Sequence, residues 1–130
     1  MVCRMTLRFE QIVIDSLDPR ALAAWWKEAL DWQITYESPA DAAVEDTEIE
    51  LAPDASTHPS LLFVPVPEKK TLKNRLHFDF IPDDQAAEVE RLIAHGATRA
   101  DVGQSDVSWV VLADPEGNEF CVLSARKIES

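Results

Sequence analysis

The sequence predicts an α+β fold made of two βαβββ modules, about 7–66 and 74–125, whose strands form a cupped mixed sheet with the helices outside. Three observations predict it. The element signals run β-α-β-β-β, pass through a linker, and then repeat in the same order. A shift of 66 residues lays Gln11 on His77 and Ala21 on Ala87, and a shift of 61 lays TEIELA at 47–52 on SWVVLA at 108–113. The stretch 109–125, WVVLADPEGNEFCVLSA, reads as two apolar strands reversed by Asp114-Pro115-Glu116-Gly117-Asn118. There Pro fixes φ and Gly supplies a positive φ. Neither half of such a duplication buries both faces of its sheet alone, so one domain of 130 residues is expected.

The elements follow in order. LRFEQIVID at 7–15 alternates as a strand, with Ile12 and Ile14 on one face and Phe9, Gln11 and Val13 on the other. Asp18-Pro19 begins a helix, Asp as the capping acceptor and Pro at the first helical position. Its apolar stripe is Leu22, Trp25, Trp26, Ala29 and Leu30, and the Trp pair reads as core packing rather than a ligand platform. Short strands follow at 33–37 and 47–51, the second with Glu48 and Glu50 on a face expected to be solvated. LLFVPV at 61–66 is a strand whose Pro65 suggests an edge or a bulge. VPEKKTLK at 66–73 reads as a surface linker.

NRLHFDFI at 74–81 alternates most clearly, with Leu76, Phe78 and Phe80 opposed to Arg75, His77 and Asp79. A helix is expected at 84–95, with Ala86, Val89, Leu92 and Ile93 as its stripe and Gly96 as its stop. A strand at 98–102 and the hairpin strands 107–113 and 119–125 complete the second module. The apolar face of each module's first strand is expected against its helix. The opposite faces then put Gln11 and His77 at equivalent places in a cup, with Cys121 and one of Phe63 or Val64 facing the same space.

Composition excludes several functions. The formal net charge is -12, from 24 acidic and 12 basic residues, and such a surface repels nucleic acid and anionic membranes. Two cysteines, Cys3 and Cys121, cannot build a disulfide framework, and no apolar run approaches a membrane span. The first residues, MVCRMTLRFE, lack the pattern of a secretory signal, so a cytoplasmic protein is expected. Phosphate-binding glycine loops, nucleophile elbows and triads are not recognisable.

Four segments resemble the vicinal oxygen chelate superfamily, which groups glyoxalase I, extradiol dioxygenases and bleomycin-resistance proteins, and within it the glyoxalase-like domain. They are DPRALAAWWKEALDW at 18–32, KNRLHFDF at 73–80, HGA at 95–97 and ADPEGNEFCVL at 113–123. The resemblance implies the glyoxalase/bleomycin-resistance fold, a small-molecule ligand and a homodimer. It also implies a metal site of four ligands, one from the first and one from the last strand of each module, drawn from His or Gln, Glu, His and Glu. Carried over, the first-strand ligands fall on Gln11 and His77. In the family pattern DPxGNxxE the eighth residue ligates; here it is Cys121, with Glu119 two residues nearer the turn. The first module's counterpart is Phe63 or Val64, neither of which can ligate.

Chelation of vicinal oxygens needs a divalent cation held by carboxylates and imidazoles with open positions left. Losing both carboxylates leads the reading away from the usual metal site and its glyoxalase lyase chemistry, toward a metal-free binding pocket. That pocket is expected to comprise Gln11, His77, Asp79, Trp109 and Cys121. If a metal such as zinc binds, its ligands are expected to be Gln11, His77 and Cys121, as N and S donors suit zinc. In that alternative the protein is a metal-dependent lyase, isomerase or dioxygenase. His77 is either a hydrogen-bonded histidine between Arg75 and Asp79 or a ligand-contacting, general acid/base residue.

Overall fold

The computed structural model describes residues 6–100 and 109–124. The chain forms two compact units, Met1–Glu68 and Lys69–Ser130, divided within the expected linker. The first contains β1 (Gln11–Ser16), α1 (Pro19–Leu30), β2 (Gln33–Glu37), a 3-10 turn (Val44–Asp46), β3 (Ile49–Ala52) and β4 (Ser60–Pro65). Its sheet order is β1-β4-β3-β2, with β1 parallel to β4 and the other pairs antiparallel. The second contains β5 (Phe78–Phe80), α2 (Gln85–Ala94), β6 (Thr98–Arg99), β7 (Val110–Ala113) and β8 (Glu119–Val122). Its order, β5-β8-β7-β6, repeats the same senses of pairing. The α+β fold of two βαβββ modules is therefore present.

The duplication holds at the level of register. Val13 pairs with Leu62 and Asp79 pairs with Cys121, so β1 maps onto β5 with the shift of 66 while β4 maps onto β8 with a shift of 59. Leu51 pairs with Leu61 and Leu112 with Phe120, so β3 maps onto β7 with the shift of 61 and β4 again onto β8 with 59. The position equivalent to Cys121 is thus Leu62, not Phe63 or Val64. Phe63 instead faces the core, 0% exposed.

Both helices begin where local chemistry dictates. The Asp18 carboxylate accepts the Ala21 N–H at 3.2 Å and the Asp84 carboxylate accepts the Ala87 N–H at 3.1 Å, each satisfying an orphan donor of the first turn. In α1, Leu22, Trp25, Trp26 and Ala29 are buried against β3 and β4, and the two indoles meet edge to face at 5.0 Å. The Trp pair is core. In α2 only Val89 and Leu92 of the expected stripe are buried, while Ala86 and Ile93 are exposed.

Several strands are shorter than the alternation suggests. β1 starts at Gln11, because its partner β4 starts at Ser60; Leu7 and Phe9 before it are 88% and 64% exposed. Pro65 does not mark an edge strand: β4 lies between β1 and β3, and Pro65 is its last residue, where the missing N–H interrupts no further ladder. β5 has three residues rather than eight, since β8 offers it only Phe120, Cys121 and Val122. Leu76 is consequently off the sheet and 86% exposed. The expected strand positions 101, 102, 107, 108 and 125 lie outside the described residues.

Glu50 corrects the expectation of a solvated face. It pairs with Leu62 on the face that carries Gln11 and Val13, and is half-buried. The Ser60 hydroxyl donates to its carboxylate at 2.6 Å and the Thr35 hydroxyl at 2.7 Å. These bonds, Ser60 first, hold its pKa below the ordinary 4.5 against the opposing effect of burial. A carboxyl depressed on folding stabilises the fold above its unfolded pKa, and that contribution disappears as pH falls through the folded value. Acid titration of the wild type is expected to lose stability below about pH 4.5, and Glu50→Gln should flatten that loss in urea midpoints measured across the same range.

Candidate functional site

The second unit gathers its chemistry at the start of β5 and the middle of β8. Paired residues of a sheet share a face, so the Asp79–Cys121 pair places carboxylate and thiol side by side. Val111, paired with Cys121 on the other side, belongs to that face, and Trp109 joins it by alternation. The other face carries Phe78, Phe80, Phe120 and Val122. Phe80 and Phe120 meet edge to face at 5.8 Å, and the Gln85 side chain at the start of α2 donates to the Val122 carbonyl at 3.1 Å. The candidate site therefore faces away from α2.

His77 stands just before β5. Its Nε2 lies 3.3 Å from an Asp79 carboxylate oxygen, with side chains 43% and 52% exposed. The ligand atoms of His77, Asp79 and Cys121 all lie within 4.8 Å of one another. Cys121 is a free thiol, 6% exposed, at the buried end of this group. Burial pushes its pKa up; the Asp79 charge and the thiol's hydrogen bond to Asp79 push the same way, and Lys73 opposes them weakly. Without a cation Cys121 is a protonated thiol, not a nucleophile. Trp109 is 39% exposed at the margin of this face.

The turn and the preceding loop hold these groups in place. Asp114 is 3% exposed, and one carboxylate oxygen accepts the N–H groups of Glu116 at 2.9 Å and Asn118 at 3.0 Å. Gly117 adopts φ 89 with open space where a Cβ would stand, so backbone conformation rather than crowding requires glycine. Glu119 accepts from Lys70 Nζ at 2.9 Å and from the Asn74 N–H at 3.0 Å, and the Asn74 amide donates to Asn118 at 3.0 Å. Burial raises the Glu119 pKa, but the Asn74 and Lys70 contacts outweigh it and leave the group below its ordinary value. Glu119 is committed to fastening the loop that leads to His77. It is not a spare metal ligand.

Gln11, the remaining sequence candidate, belongs to the first unit and heads β1 opposite Ser60. The cluster in the second unit is completed by Asp79, which the sequence reading placed in the pocket but not among the ligating residues. No sequence signal paired it with Cys121, because the pairing depends on the β5–β8 register. The donor set also fits poorly with the four-ligand metal centre implied by the resemblance. A thiol stands at one last-strand position and Leu62 at the other, so both carboxylates that would hold a hard cation are missing.

A separate cavity of about 410 Å³ lies beside α2, lined by Ala86, Val89, Glu90, Ile93, Arg99 and Val110 among others. It is on the helix side of the sheet and contains none of the clustered groups. Its polar lining residues are Gln85, Glu90 and Arg99, while the imidazole, carboxylate and thiol lie together on the other face. Among the described residues, no helix is long and apolar enough to cross a membrane.

Comparison with known proteins places this arrangement. No curated protein matches the sequence. Among solved structures, the fosfomycin resistance protein FosX from Mesorhizobium loti is similar with a TM-score of 0.69 at 14% identity, over 94% of this chain and 94% of that one. Glyoxalase I of Leishmania major gives 0.65 at 15%, over 92% and 87%. TnmS3, an antibiotic binding protein from Streptomyces sp. CB03234, gives 0.62 at 16%, over 95% and 100%. These likenesses establish the fold. The family model described as "Glyoxalase-like domain" matches residues 11–123, and the chain belongs to that family.

Proposed function

We propose that this protein binds a small organic molecule as a single glyoxalase-like domain, without the usual four-ligand metal centre. The ligand rests on the face that carries His77, Asp79, Trp109 and Cys121. The observation that carries this reading is the half-exposed His77–Asp79 pair beside a buried thiol, on a face whose margin carries Trp109. Such a group offers an imidazole, a carboxylate and an apolar wall, the few polar anchors on an apolar surface that ligand sites use. Asp79 and the net charge of -12 favour a cationic or aromatic ligand over an anionic one. The likeness to an antibiotic binding protein supports this reading. The protein is expected to act in the cytoplasm, as a homodimer; sedimentation equilibrium measures the second point.

The test is a calorimetric screen of metal-stripped protein against small cationic and aromatic compounds, antibiotics included. A stoichiometric binder that leaves a His77→Ala variant unbound supports the reading. Binders that bind the variant as well as the wild type, or saturation only with anionic compounds, would overturn it.

A further inference from the structure

The cavity of about 410 Å³ beside α2 has two walls of different chemistry. One is the helix, which presents Ala86, Val89, Glu90 and Ile93 at helical spacing. The other is the sheet, which contributes Arg99 and Val110. Arg99 pairs with Leu112, and Leu112 pairs with Phe120, so Arg99 rises from the sheet face that looks toward α2. A carboxylate on one wall thus stands across from a guanidinium on the other. Among the described residues neither Glu90 nor Arg99 takes part in an ion pair, whereas Glu88 and Arg91 of the same helix pair with each other at 2.9 Å.

We propose that this cavity is a second binding site, for a small zwitterion with a branched aliphatic body, the class of the free branched-chain amino acids. The ammonium group meets Glu90, the carboxylate meets Arg99, and the aliphatic part rests on Val89, Ile93 and Val110. The site lies on the opposite face of the sheet from the proposed organic ligand and shares no residue with it.

Size, lining and charge each support it. The volume falls within the roughly 300–1,000 Å³ of small-molecule sites. Val89 is 5% exposed and forms an apolar floor, while Ile93 beside it is 38% exposed, so an aliphatic group set there removes apolar surface from water. Glu90 and Arg99 together are neutral, and a ligand with one charge leaves one wall unmatched. A guanidinium receives a carboxylate through paired hydrogen bonds and a carboxylate receives an ammonium group, which fixes the orientation of the zwitterion. The walls are also held in place. At one end of α2 the Gln85 side chain donates to the Val122 carbonyl at 3.1 Å, and Val122 pairs with Val110. At the other end the Ala97 N–H donates to the Leu92 carbonyl at 2.9 Å, just before β6. The helix and the strand of Arg99 are thereby spaced before any ligand arrives.

Heteronuclear NMR titration of the full chain with L-leucine, L-isoleucine and L-valine tests this. The expected result is saturable shifts of the Ala86, Val89, Ile93 and Val110 amides with at least one of the three. Isoamylamine and isocaproate, which keep the leucine side chain and lose one charge each, should bind at least about 5-fold more weakly than L-leucine. Glu90→Gln and Arg99→Gln should each weaken the amino acid by a similar factor, about 5-fold or more. Ala86→Trp, placed on the exposed side of the helix, should fill the cavity and abolish the shifts. Circular dichroism of each variant, matching the wild type, separates a lost site from a lost fold. No saturable shift at these amides by about 10 mM of any of the three, equal binding of isoamylamine or isocaproate, or full affinity retained in any of the three variants would overturn the proposal. His77 and Asp79 take no part in the measurement, so this site and the proposed binding function fail or stand separately.

Discussion

Asp114→Ala is expected to lower the unfolding free energy by about 2–4 kcal/mol, as hydrogen bonds to a charged acceptor are worth roughly 1.5–3 kcal/mol each before solvent replaces part of them. The carboxylate is 3% exposed and collects the N–H groups of Glu116 and Asn118 together with the Asn118 side-chain amide. Beneath it, the Asp114 N–H donates to the Asn118 carbonyl at 3.0 Å and the Gly117 N–H to the Asp114 carbonyl at 2.9 Å. Removing the side chain leaves the half-buried donors of Glu116 and Asn118 without their protein acceptor, which solvent replaces only in part. The consequence extends beyond the turn, because Asn118 and Glu119 anchor the loop before His77. Urea denaturation should show a lower midpoint at an unchanged slope. A loss below about 0.5 kcal/mol, the range of ordinary surface substitutions, would contradict this account of the turn.

Asp79→Asn is expected to reverse that profile, leaving stability within about 0.5 kcal/mol of wild type while weakening a bound organic cation about 10–100-fold. The stability half follows from exposure: the side chain is 52% exposed, and its pairing with His77 is a surface contact of small worth. The binding half follows from position. Asp79 is the carboxylate on the face away from α2 that stands beside both His77 and Cys121. Asparagine keeps the shape and removes the charge, and a charge-assisted hydrogen bond lost inside a site costs roughly 1.5–3 kcal/mol. Isothermal titration with the binder found by screening, beside urea denaturation, measures both halves. Equal affinity in the variant would remove Asp79 from the site.

Where short-range chemistry decides the structure, the sequence was legible. Asp18-Pro19 and Asp84 start their helices because a carboxylate caps the first turn, and Gly96 follows the last turn of α2 with φ 122. The strand Gln33–Glu37 and the reversal at Asp114 lie where alternation and turn residues put them. The shifts of 66 and 61 between the halves matched β1 to β5 and β3 to β7, but not β4 to β8, whose offset of 59 makes Leu62 rather than Phe63 or Val64 the counterpart of Cys121.

What stayed hidden depends on which strands become neighbours. Leu76 continues the alternation of Phe78 and Phe80, yet β8 turns away before reaching it and leaves it in solvent. Pro65 resembles an edge residue until β4 is seen to end there. Glu50 looks solvated along its own strand, and only the neighbours Thr35 and Ser60 make it a hydrogen-bonded carboxylate. The same limit governed the site. His77 and Cys121 could be picked out by family pattern, whereas Asp79 joins them through a cross-strand pairing that no local signal encodes. Glu119 sits on the right face for a ligand, but long-range bonds to Lys70 and Asn74 occupy it.

The location of the ligand is the central claim, and heteronuclear NMR mapping with a calorimetrically identified binder tests it most directly. The account predicts chemical-shift changes at His77, Asp79, Val111 and Cys121, with the resonances of α2 unmoved. Changes confined to Ala86, Val89 and Ile93 in the cavity beside α2, with the His77–Asp79–Cys121 face silent, would contradict it.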